Sequence, residues 1–106
     1  MKIKIGYSSS IKETTWSEQE AEESLLKGYR NDVLVTVNNL VYKLYFIDPT
    51  RLKQDLDSEI AIGYPYLAIP NLIVISSITQ GAIEQTVEVL HLEGYFNSIK
   101  PSFQSI

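Results

Sequence analysis

Cysteine is absent from this chain, and histidine occurs once, at His91. The first absence excludes a disulfide framework, a thiolate nucleophile and a thiolate metal site. The second leaves a catalytic triad with a single candidate base, and no Gly-x-Ser-x-Gly elbow accompanies it. Nor is there a Walker-type loop, a Gly-x-Gly-x-x-Gly turn, or the Glu-x-Lys or Asp-x-Lys element of many metal-dependent nucleases. No apolar run reaches the about 18 residues of a membrane span. Positive charge is scarce: nine Lys and Arg face thirteen Asp and Glu, for a net charge of −4. A surface of that sign repels phosphate backbones, so direct binding to nucleic acid or to an anionic membrane is not expected.

What is present suits a small globular chain. A hydrophobic content of 44% is ordinary, and 106 residues leave room for one domain around one core. The acids are unevenly spread, with only Glu84, Glu88 and Glu93 beyond residue 60. The first half therefore carries most of the field that would attract a basic partner. Met1 to Gly6 alternates like a strand and does not resemble an apolar leader, which makes the cytoplasm the expected location.

Along the chain, residues 2–8 read as an edge strand with lysines on its outer face, followed by a Ser8-Ser9-Ser10 turn. Ser17 with Glu20 three residues later forms the capping-box pattern, and predicts a helix over 18–27 ended by Gly28. Ala21 and Leu25 are its expected buried stripe. The runs 33–37 and 40–47 predict two strands joined by Asn38-Asn39, a pair that tolerates a tight hairpin turn. Asp48-Pro49 predicts a capped helix over 49–57 with Leu52 and Leu56 inward. Leu72 to Ile75 is apolar on both faces and reads as a central strand. Thr79 caps a last helix over 80–93 whose stripe is Ile83, Val87 and Leu90. These elements predict a single α+β domain over 1–106: a mostly antiparallel sheet of about four strands, two main helices and one short one. Residues 97–106 carry no periodic signal and are expected to be a flexible tail.

Several side-chain sets invite chemistry. Glu84, Glu88 and His91 include the Glu-x-x-His spacing of di-iron bundles, but such a site needs a second copy, and no second histidine exists. A half-exposed polar flank explains these residues, and neither a metal nor another cofactor is expected. Catalysis is not expected either. The first helix carries Glu18, Glu20, Glu22 and Glu23 with Glu13 just before, either as a solvated face favoured by the helix macrodipole or as a partner-binding face. Asp55, Asp57 and Glu59 fall at the expected end of the second helix, where Arg51 and Lys53 stand four residues before the two aspartates. Tyr64 and Tyr66 flank a proline, where rigid amphipathic rings serve as interface anchors unless the loop folds back over them. Trp16 either staples onto the first helix or joins the anchors. The candidate partner-binding set is therefore Glu13, Trp16, Glu18, Glu20, Glu22, Glu23, Asp55, Asp57, Glu59, Tyr64 and Tyr66.

Three stretches carry a family resemblance: the opening Lys2-Ile3-Lys4-Ile5-Gly6-Tyr7-Ser8, the strand Pro70-Asn71-Leu72-Ile73-Val74-Ile75, and the ending Gly94-Tyr95-Phe96 with Lys100-Pro101. With the length, acidity and layout, they make the chain resemble an immunity protein of bacterial contact-dependent growth inhibition systems. The resemblance implies a cytoplasmic antitoxin without catalytic activity. Its partner would be the C-terminal toxin domain of a cognate effector, often a tRNA-cleaving nuclease with a basic cleft. The resemblance assigns no individual interface residue. The alternative is a small adaptor or subunit of a larger assembly, including a homodimer through an edge strand.

Overall fold

A computed structural model describes residues 3–7 and 15–104 of the chain. The Ser8-Ser9-Ser10 turn expected from the sequence lies outside those residues, as does Glu13. The architecture is α+β: β1 (Ile3–Gly6), α1 (Glu18–Lys27), β2 (Tyr29–Val37), β3 (Leu40–Ile47), α2 (Pro49–Ala61), β4 (Leu72–Val74), α3 (Gln80–Leu92), a 3-10 turn (Tyr95–Asn97) and β5 (Phe103–Gln104).

The β2–β3 hairpin is the centre of the molecule. Asn38 and Asn39 both take positive φ (52° and 66°), the backbone a two-residue loop needs to match strand twist. Val37 is thereby set opposite Leu40, and the alternation that follows puts Val33, Val35 and Val37 on one face with Tyr42, Leu44 and Phe46. β1 pairs antiparallel with the outer edge of β2. The other edge of β3 is shared, with β4 running parallel along Tyr45–Ile47 and β5 antiparallel at Leu40–Val41. Four strands thus form a mixed sheet in the order β1-β2-β3-β4, with β5 completing β3. The expected central strand at 72–75 is instead a three-residue edge strand, and Val74 is exposed. A short apolar run does not by itself reveal how many neighbours a strand will have.

α3 closes the core face. Thr79 accepts a hydrogen bond from the Ala82 amide as its cap, and Ile83 and Val87 are fully buried, each worth about 1.5–3 kcal/mol of apolar burial. Ile78, Tyr7, Trp16 and Phe96 complete the same cluster. Of the segment expected to be a tail, residues up to 104 return to the sheet: the Ser102 amide donates to the Val41 carbonyl at 2.7 Å, and β5 follows. No helix among the described residues is long and apolar enough to cross a membrane.

Candidate functional site

α1 forms where its capping box predicts. The Ser17 hydroxyl accepts from the Glu20 amide at 3.1 Å, and the Glu20 carboxylate accepts from the Ser17 amide at 3.3 Å. Gly28 ends the helix at φ 77°. The expected buried stripe is not observed: Ala21 and Leu25 are exposed, and the residue α1 buries is Ser24. The reason lies in the strand that follows. Between Arg30 and Val33 the register of β2 shifts by a bulge, so Arg30 opposes Phe46 as Val33 opposes Leu44. The extra residue puts Arg30 on the core face, where strict alternation would have sent it to the other side.

Arg30 then becomes the joint between α1 and the sheet. Its guanidinium lies over the Trp16 ring at 4.6 Å and the Tyr7 ring at 5.2 Å. Nε and Nη2 donate to the two Asp32 carboxylate oxygens (2.6 and 3.2 Å), Nη2 also reaches Glu20 (3.4 Å), and Nη1 donates to the Ser24 hydroxyl (3.3 Å). Burial alone would lower the Arg30 pKa, but the hydrogen bonds and charges of Asp32 and Glu20 hold it above its ordinary value. Trp16 and Glu20 are consequently structural. Trp16 is buried and packs edge-on to Tyr7 with rings 5.2 Å apart, so it joins the core instead of stapling the helix. An open depression of about 200 Å³ beside this joint is walled by Glu20, Glu23, Lys27, Arg30 and Asp32, and much of that charge is already spent on internal pairs.

A second arginine does similar work between α1 and α2. Arg51 lies over the Tyr29 ring at 4.6 Å, its Nε donates to Asp55 at 2.8 Å, and its Nη1 caps the Lys27 carbonyl at 3.1 Å. Tyr29 stacks on Tyr45, whose pKa is raised by burial and then by the nearby Asp55. Asp57 pairs with Lys53 at 2.8 Å in the open. The two i,i+4 pairs form as the spacing suggested, but α2 runs on to Ala61 instead of stopping at 57. Asp55 and Asp57 therefore sit within the helix, and the charges are matched.

Six of the candidate residues remain unburdened by these joints. Glu18, Glu22 and Glu23 project from the outer side of α1, where Gln19 donates to Glu23 at 3.1 Å. One turn beyond Glu22 stands Leu26, 82% exposed, with Leu25 beside it. The sequence does not single out Leu26, because the expected stripe of Ala21 and Leu25 leaves it on the flank of the helix. The other three are the half-buried Glu59 and two tyrosines, Tyr64 and Tyr66, which are 51% and 60% exposed, so the loop does not fold back over them. The tyrosines adjoin Glu59, Ile60 and Ile62 at the far end of α2. The end of α1 abuts the first turn of α2, so the two surfaces are separated by the length of that helix, about 20 Å at 1.5 Å per residue.

The polar flank of α3 has local work as well. Glu84 accepts from the Tyr7 hydroxyl at 3.2 Å and from the Gln80 side chain at 2.8 Å. Among the described residues no group of histidine and carboxylates is arranged to hold a metal. In comparisons with known proteins, no family model, no curated protein and no solved structure matches this chain.

Proposed function

We propose that the chain is a non-catalytic protein-binding domain whose α1 docks on a basic partner, and that it acts as a cytoplasmic immunity protein against a toxin domain, as its sequence resemblance implies. One observation carries the reading: α1 turns Leu26 outward on the same exposed side as Glu18, Glu22 and Glu23 while burying a serine. A helix whose sole task was to cover the sheet would bury its leucines. An exposed apolar residue one turn beyond a row of carboxylates complements a basic surface with an apolar hollow, such as the substrate cleft of a nuclease. The carboxylates would take the place of phosphates, and Leu26 would add apolar contact area at the end of their row. The adaptor alternative, pairing through a sheet edge, has a shorter surface to use: β1 spans four residues and β4 three.

The test is protection. The chain is co-expressed with the C-terminal domain of a secreted effector, which the reading expects to be encoded directly upstream, and growth is followed. Rescue by the wild-type chain, lost on combining Leu26→Ala with Glu22→Lys, is the expected result. Neutralising Glu18, Glu22 and Glu23 together should slow association at least tenfold at low salt. Absence of rescue, or rescue and association indifferent to all four side chains, rejects the reading.

A further inference from the structure

Both arginines of this chain are held in the same way, by an aromatic face and a carboxylate: Arg30 by Trp16, Tyr7 and Asp32, and Arg51 by Tyr29 and Asp55. A third set of these parts stands at the end of α2. The Tyr64 and Tyr66 rings meet edge to face, 6.3 Å apart at 70°. With Glu59 they line a surface hollow of about 480 Å³ floored by Leu67, Ala68 and Ile69. The backbone builds the arrangement. Gly63, at φ 101°, reverses the chain after the helix, the Gly63 amide donates to the Ile60 carbonyl, and the Tyr64 amide returns to the Glu59 carbonyl at 2.9 Å. That pair of bonds brings Tyr64 back beside Glu59. The two sets elsewhere in the chain contain their cation; among the described residues Glu59 forms no ion pair.

We propose that the hollow bounded by Glu59, Tyr64 and Tyr66 is a receptor for one arginine side chain of the protein partner. A guanidinium is the cation that fits best, because it stacks flat on a tyrosine face while its N–H fork faces a carboxylate. Leu67 and Ile69 would cover its aliphatic stem. The proposal rests on the reading that the partner is a basic protein, and it adds a second contact about 20 Å from α1 along α2.

The experiment uses the full chain and a short peptide, so it is independent of the toxin assay. An acetylated Gly-Arg-Gly amide is titrated while the Tyr64 and Tyr66 ring resonances are followed by NMR, with citrulline and lysine peptides as controls. Saturable shifts at both rings are expected, at least fivefold weaker with citrulline and weaker with lysine. Glu59→Gln should weaken binding about threefold, and Tyr64→Ala should abolish it. Equal shifts with citrulline would overturn the proposal, as would shifts confined to α1. Dilution-dependent shifts without peptide would also overturn it, since they would place a second copy of the chain on the hollow. Protection by the chain alongside a silent titration rejects the arginine receptor alone; arginine binding without protection rejects the immunity reading alone.

Discussion

Trp16, Tyr7, Asp32 and Glu20 surround a guanidinium where α1 meets the sheet, whereas Tyr64 and Tyr66, beside the half-buried Glu59 at the end of α2, face solvent. The parts are chemically alike, and the difference is whether the fold supplies the cation. Where Arg30 fills the set, the aromatic rings are buried and the carboxylates hold α1 to the sheet. Where no arginine is supplied, the rings stay half in water and their apolar area remains available. Aromatic residues and acids are therefore not a binding signature in themselves in this chain. Their meaning depends on what already occupies them, and Trp16 and Glu20 become structural on that ground while Tyr64 and Tyr66 stay exposed.

The sharpest way to break the comparison is Arg30→Met. It removes the joint and leaves Asp32 and Glu20 without that cation beside two aromatic rings, so unfolding in urea should show a loss of about 3 kcal/mol. Next comes Gly28→Ala, at the meeting point of α1, β2 and α2. A Cβ there would fall 2.8 Å from an Asp48 carboxylate oxygen and 2.9 Å from the Arg51 Cβ, at a φ of 77°. The expected cost is about 1–3 kcal/mol, read from the same titration. The Tyr7 hydroxyl gives a test in pH. Burial, and then the neighbouring Glu84, raise its pKa well above the ordinary tyrosine value of about 10. Its contribution is complete below that value, where the phenol is neutral in both states. It is lost as the pH rises above it, because the unfolded chain ionises first. Tyr7→Phe should flatten this alkaline fall in melting temperature. At the open end, Tyr64→Ala with Tyr66→Ala should change stability by no more than about 0.5 kcal/mol while weakening partner binding more than tenfold by calorimetry. Smallest of all, Lys53→Ala breaks a solvent-exposed pair and should leave the melting curve unchanged.

Some of this was legible in the sequence, and the legible parts are local. Ser17 with Glu20, Asp48 with Pro49, and Thr79 each announce a helix start through bonds that close within three residues. The α2 boundary differs from the expected stop at 57 for a reason equally local. Gly63 is the left-handed residue that ends the helix, and the Tyr64 amide bonds back to Glu59, whereas a stop at 57 treated both as loop. The buried side of α1 was illegible for a different reason. Ser24 faces inward because Arg30 lies beneath it, and Arg30 lies there because a bulge in β2 moves it across the sheet.

The sequence by itself determined the α+β class, the hairpin register through Asn38 and Asn39, the helix caps and the acidic character of the first half. These depend on backbone preferences and spacing within a few residues, which a linear chain carries in full. Only the tertiary structure decided the parallel pairing of β4, the return of residues 101–104 to β3, and which acids are matched and which are free. Those outcomes depend on contacts between residues far apart in the chain, where one extra residue in a strand reverses every side chain before it. Among the described residues, Glu18, Glu22 and Glu23 on the outer side of α1 and the half-buried Glu59 beside Tyr64 and Tyr66 are the acids that second level of organisation left without an ion pair.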